Sequence, residues 1–274
     1  MNRITRTAAL LTGTVLSILF LYPYVWMGLS AFRSTREILA APLGLPRSPN
    51  WDAFRSIADV GGVTLLQASL NSILITSAST ALAVLVTASG AYAITRRPDW
   101  LVFRLLRGGF LLTMMYPYML LVIPVYIVMF RLGLLGSYAG IILFLALGPV
   151  QFFLFEQFFR TLPREVLEAA TVDGAGELQI LLRVVLPMAQ PVVATVAAIT
   201  FLLNWAQWFP VLVISTTPDT YTLPVALLNL NGELGTNFQG IMALAVLTTL
   251  PPTLVFLATQ RRVMGGMAEG AVKG

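Results

Sequence analysis

The chain has 274 residues, 57% of them hydrophobic and only 11% charged; a soluble domain carries about a quarter charged residues, so the composition is that of an integral membrane protein. The absence of His and Cys excludes imidazole proton relays, soft-ligand metal sites, disulfides and thiol nucleophiles. A net charge of +5 fits basic loops held on the cytoplasmic side better than a nucleic-acid partner.

Apolar runs long enough to cross a bilayer core as a helix occur near 8–32, 71–95, 108–130, 139–159, 188–213 and 239–260. They predict six spans in one membrane domain, 1–274. The first run follows MNRITR and continues to Trp26 with no clear small-residue cleavage site, which favours a retained helix over a signal peptide. With the amino terminus inside, 12 Lys and Arg fall in inner segments and 5 in outer ones, so both termini are expected in the cytoplasm. Pro42, Pro46 and Pro49, followed by PNWDAF, make 33–70 an ordered extracytoplasmic loop with turns. Span two carries Ser72, Thr76, Ser77, Ser79, Thr80, Thr87, Ser89 and Gly90, small residues that suit close helix packing. Tyr116 and Tyr118 fall near the middle of span three beside Pro117. A mid-membrane tyrosine needs a hydrogen-bond partner, either in a polar pathway or on a neighbouring helix carbonyl.

Hydropathy drops between Arg160 and Pro187, in a segment the charge count puts in the cytoplasm. Thr161 or Leu162 can cap a helix there, Pro163 fits its first turn, and Glu165 adds favourable negative charge near its start. The helix runs through Glu168, Ala169 and Ala170 and is stopped by Gly174 and Gly176. A second helix, 177–186, is expected to end at Pro187. The whole is either a loop joining two spans or a built surface.

The spacing favours a built surface. Glu168-Ala169-Ala170, three residues, Gly174, nine residues, Val184, one residue and Leu186-Pro187 resembles the EAA loop of ABC importer permeases, with Val where that pattern has Ile. NSILIT at 71–76, AYAIT at 91–95, the segment 116–143, YTLPVAL at 221–227 and the tail QRRVMGGMAEGAVKG at 260–274 are similar to the maltose-type carbohydrate permeases, in particular their six-span second subunit.

This resemblance implies an all-α integral membrane protein with six transmembrane helices, the type I ABC importer permease fold, and a cytoplasmic EAA coupling helix. Glu168, Ala169, Ala170, Asp173 and Gly174, closed by Leu186 and Pro187, would form the joint to a cytoplasmic ATPase. Gly270, Ala271, Val272, Lys273 and Gly274 would also reach the ATPases, and 216–238 would enter an extracytoplasmic binding protein. The implied partners are a second homologous permease, two ATP-binding cassette ATPases, that binding protein and membrane lipid, with no nucleic acid. The chain has no G-x-x-x-x-G-K-[ST] loop, so no cofactor is expected on it, and ATP and Mg belong to the partner ATPases.

One stretch departs from relatives, which commonly read Trp-Asn-Glu-Phe where this chain has Trp205-Ala206-Gln207-Trp208. Asn204, Trp205, Gln207 and Trp208 are either contacts for sugar hydroxyls and ring faces or part of an outer aromatic belt. Together with Tyr116 and Tyr118 they are the candidate solute path. A secondary transporter of a small polar solute is the alternative, weakened by the lack of Asp and Glu in spans two, three, five and six. The resulting expectation is transport of a sugar, oligosaccharide, amino sugar or polyol phosphate by alternating access, driven by ATPases.

Overall fold

The computed structural model describes the backbone of residues 3–146, 148–232 and 235–271, and side chains within 6–117, 119–146, 148–230 and 237–260. Helix α1 (Arg3–Ser30) is long, apolar and exposed along nearly its whole length. The predicted turn-rich loop then folds into α2 (Thr35–Ala40), α3 (Asp52–Ser56) and a hairpin of β1 (Asp59–Val60) with β2 (Val63–Thr64). Ser34 and Glu37 cap α2 reciprocally: Ser34 Oγ accepts from the Glu37 amide at 3.3 Å, and the Ser34 amide donates to Glu37 Oε2 at 3.1 Å. Arg33 is fully buried and its Nη2 donates to the carbonyls of Glu37 and Ala41, both at 2.6 Å. It closes the far end of that short helix, where carbonyls lack partners. Gly61 and Gly62, at φ 65° and 84°, supply the paired positive angles that a two-residue hairpin turn needs.

Helix α4 (Leu65–Arg96) starts on a Thr64 side-chain cap and is 32 residues long. Its predicted small-residue face packs against other helices of the chain, and two of its buried hydroxyls are satisfied within the helix: Ser72 donates to the Ala68 carbonyl and Thr87 to that of Ala83. The run 108–130 is not one helix. It is divided into α5 (Leu101–Met115) and α6 (Tyr118–Arg131) at Tyr116, which is extended (φ −91°, ψ 138°) because Pro117 disfavours helical angles in the residue before it. Run 139–159 is α7 (Tyr138–Leu145) and α8 (Pro149–Phe159), bent by 49°.

There follow α9 (Arg164–Val172), α10 (Glu177–Ile180), a π-helical turn (Leu181–Val185), α11 (Leu186–Met188) and α12 (Gln190–Trp205). The segment 177–188 and α12 meet at 83°, so the run 188–213 is a straight helix only between Gln190 and Trp205. Beyond it come α13 (Phe209–Ile214), a 3₁₀ turn (Pro218–Thr220), α14 (Leu223–Leu228), the hairpin of β3 (Asn231–Gly232) and β4 (Gly235–Thr236), and α15 (Phe238–Ala271). Among the described residues, three helices are long and apolar enough to cross a membrane unbroken: Arg6–Ser30, Leu65–Arg96 and Phe238–Gln260.

Packing divides along α4. Near its Arg96 end, Ala91, Tyr92 and Ile94 pack with Phe152, Phe155, Phe159, Ile180 and Val185. Near its start, Ala68 joins Ile57, Val63, Trp205, Leu223 and Leu244, and Ile75 joins Phe144, Val211 and Val225. In a membrane chain the close van der Waals packing of these side chains, rather than their removal from water, holds the short and broken helices around α4.

Candidate functional site

Helix α9 begins at Pro163 in the N-cap position with no side-chain cap. The expected caps are employed elsewhere: the Thr161 hydroxyl donates to the Phe158 carbonyl at 2.7 Å, and Leu162 packs against the Phe155–Ile180 core. Leu167 and Ala170 turn toward that core, leaving Glu168, Ala169 and Asp173 exposed. The helix stops where the sequence predicts. Gly174 stands at φ 82°, and the Ala175 amide reaches back to the Ala170 carbonyl at 3.0 Å, satisfying a terminal acceptor. A Cβ at 174 would meet nothing within 4 Å, so the demand for glycine there comes from backbone angle alone.

Helix α10 is tied to the end of α4. The Tyr92 hydroxyl donates to Glu177 Oε2 at 2.6 Å, and Arg96 reaches both carboxylate oxygens at 3.3 Å. Glu177 lies outside the long apolar helices. The hydrogen bond from Tyr92, followed by that from Arg96, holds its carboxyl below the usual carboxylate range despite partial desolvation. Neither partner was evident in the sequence, since each lies more than eighty residues from Glu177.

The second helix does not end at Pro187. It continues to Met188, because the turn before the proline widens: the Leu186 amide donates to the Leu181 carbonyl five residues back. That register relieves the clash a proline ring makes with the carbonyl four residues earlier. The chain turns instead at Ala189 (φ −88°, ψ 8°), which is fully buried.

Glu156, on α8, is 3% exposed and accepts from Arg107 Nε of α5 at 2.8 Å and from Arg160 Nη2 at 2.7 Å. The Glu156/Arg160 spacing of four is legible in sequence; the Arg107 contact, which holds α5 to α8, is not.

Two residues of the candidate solute path, Asn204 and Trp205, are engaged by neighbouring helices. Asn204 is buried, donating to Ser79 Oγ of α4 at 3.0 Å and to the Leu145 carbonyl at the end of α7 at 3.2 Å. Trp205 is also buried, stacks on Phe201, and donates from Nε1 to the Thr248 carbonyl of α15 at 3.0 Å. It therefore belongs to the core of the chain, unlike the exposed Trp208, whose ring meets Phe209 edge-on. Gln207 lies in the bend after α12. Tyr116 is 60% exposed at the break between α5 and α6, and the Tyr118 side chain lies outside the described residues. Replacing Asn204 by Ala is expected to cost about 1–3 kcal/mol by unpairing buried partners. A lowered melting temperature in detergent with unchanged solute preference would fit the packing role, and altered preference with unchanged melting would refute it.

A cavity of about 560 Å³ opens beside the start of α4, between Thr64, Gln67, Leu70, Asn71, Leu74 and Tyr138. Its polar corner is Asn71, which donates to the carbonyls of Asp219 (2.8 Å) and Tyr221 (2.9 Å) and accepts from the Tyr138 hydroxyl at 2.8 Å. Ser72 Oγ beside it accepts from the Leu223 amide at 2.8 Å. The stretch Asp219–Leu223 is thus pinned to α4. In the tail, Gly270 and Ala271 occupy the last turn of α15 with their side chains outside the described residues, as are Val272, Lys273 and Gly274 entirely. Among the described residues no group of three or more Asp and Glu is placed to hold a metal ion.

Comparison with known proteins agrees with this architecture. The chain is 32% identical over 265 residues to a diacetylchitobiose uptake system permease protein of Streptomyces coelicolor, covering 94% of this chain and 85% of that one. It is 32% identical to a trehalose transport system permease protein of Mycobacterium tuberculosis, covering 93% of each. Among solved structures it superposes with a TM-score of 0.78 and 23% identity on a chain of a bacterial ABC transporter involved in the import of the acidic polysaccharide alginate, covering 95% of this chain and 98% of that one. Residues 84–268 match the family model described as binding-protein-dependent transport system inner membrane component, and the chain belongs to that family.

Proposed function

We propose that this chain is one of two permease subunits of an ATP-driven importer that carries a sugar, oligosaccharide or related carbohydrate across the cytoplasmic membrane by alternating access. Relatives named for diacetylchitobiose and trehalose transport support the substrate class. In this reading the chain is one membrane domain with six spans, three of them assembled from broken helices, and both termini face the cytoplasm. A homologous permease completes the path, an extracytoplasmic binding protein delivers solute near 216–238, and two ATPases holding ATP and Mg dock on the inner face. Glu168, Ala169, Ala170, Asp173 and Gly174 form the docking surface; Leu186 and Pro187 carry its motion toward Ala189 and α12, and the tail from Gly270 adds a second contact.

The observation that carries this proposal is the combination on α9: an exposed face bearing Glu168 and Asp173, a glycine turn behind it, and the adjoining helix bonded to α4 through Glu177. A surface built that firmly on one side and left bare on the other suits docking. Affinity capture of the tagged chain from native membranes in mild detergent, followed by mass spectrometry, tests it. Co-purification of a phosphate-loop ATPase and a second permease is expected. Recovery of the chain alone after in-membrane crosslinking would overturn the reading.

A further inference from the structure

A second recess, of about 270 Å³, lies between the Arg96 end of α4, the start of α5 and helix α10. Leu181 is buried at its base, Phe103 and the exposed Leu178 form apolar walls, the Tyr92–Glu177 pair lies along one side, and its rim carries Arg96, Arg97 and Trp100. Arg96 spends two of its donors on Glu177. A guanidinium has five, so donors remain. The Arg97 guanidinium is held 4.6 Å above the Trp100 ring, and Trp100 in turn stacks on Phe103 at 5.5 Å. Among the described residues Arg97 has no carboxylate within ion-pair distance, although Asp99 is two residues away. Within the lining itself two guanidiniums face the single carboxylate of Glu177, and Asp99 stands outside the lining.

We propose that this recess binds an anionic phospholipid, its phosphate at Arg97 and the free edge of Arg96, and its acyl chain along Phe103, Leu178 and Leu181. Three features select a lipid over a soluble anion. Phe103, Leu178 and Leu181 give the recess an apolar side, which a free phosphate does not need. The rim pairs tryptophan with arginine, the combination that settles at headgroup depth. The recess closes the end of a 32-residue apolar helix, where a bilayer surface would lie. The proposal rests on the reading that the Arg96 end of α4 faces the cytoplasm. It gives the tie from α4 to α10 a dependence on membrane composition, because the bound headgroup would share Arg96 with Glu177.

Quenching of Trp100 fluorescence tests it, with the intact chain in detergent micelles and Trp100→Phe as the reference that isolates this ring among the five tryptophans. Brominated phosphatidylglycerol is expected to quench at about fivefold lower concentration than brominated phosphatidylcholine, the ratio one basic residue contributes at an anionic surface. Arg97→Gln should erase that difference with the melting temperature unchanged, and Arg97→Lys should retain most of it. Equal quenching by the two lipids, an unaffected Arg97→Gln variant, or displacement by excess glycerol 3-phosphate would each overturn the proposal. Because the chain has no native cysteine, Asp99→Cys reports sidedness independently. Labelling by an impermeant maleimide only in inverted vesicles leaves the orientation intact whatever the lipid result. Labelling from the outer face would remove the orientation and the lipid site together.

Discussion

Replacing Glu168 by Lys is expected to lower solute uptake at least tenfold while leaving the chain inserted and paired with its partner permease. Glu168 is exposed on α9, one turn before the helix ends at Val172, and its side chain has no ion-pair partner among the described residues. Reversing its charge therefore costs the isolated chain almost nothing and acts only where another surface meets it. Mispairing a desolvated charge across an interface costs about 2–5 kcal/mol, so uptake should fall by tenfold or more while the ATPases hydrolyse ATP without transport. Gly174→Val should give the same phenotype by a different route. A β-branched residue resists the φ of 82° at that position, so the turn after α9 must reorganise even though open space surrounds it. Uptake measured in vesicles beside ATP hydrolysis separates the cases. Normal uptake by Glu168→Lys would remove α9 from the coupling surface.

The second large effect concerns stability. Arg107→Ala together with Arg160→Ala strips both cations from Glu156, which is 3% exposed, and an uncompensated buried carboxylate costs about 3–5 kcal/mol. The double variant should melt well below the parent in detergent and be poorly retained in membranes. Adding Glu156→Gln to it should restore much of the loss, since the amide leaves no charge to compensate. The two arginines are each about half exposed, so Glu156→Gln alone is expected to be mild. Failure of Glu156→Gln to rescue the double variant would show that the arginines stabilise through packing, with Arg107 against Phe153, rather than through charge.

The two long helices at either end and α4 are legible as apolar runs because each is continuous and its length alone declares it. The breaks are harder to read. Tyr116-Pro117 carries its own signal in the residue before proline, yet the apolar run continues across it, and hydropathy averages the two helices into one. Pro187 is a proline that does not stop its helix, because a widened turn absorbs the missing donor, while Ala189 turns the chain with no special residue. At the candidate site, Gly174 and the exposed acids follow from local rules. Tyr92 with Glu177, Arg107 with Glu156, and Asn204 with Ser79 depend on folding distance instead. That dependence also explains why the sequence leaves Asn204 and Trp205 between solute contact and aromatic belt: polar and aromatic residues near a helix end have the same composition whether they face a path or a neighbouring helix.

Helix α4 is fastened at both ends, by Asn71 and Ser72 to the segment around Asp219–Leu223 and by Tyr92 and Arg96 to Glu177. Between Asn71 and Arg96 such a helix measures roughly 37 Å. A rod of that length pivoting at its Arg96 pin through about 10° sweeps its far pin by roughly 6 Å, more than the rise of one helical turn. A small rotation imposed through α10 would thus reappear as a large displacement around Asp219, with the helix serving as a lever whose short arm is a single carboxylate.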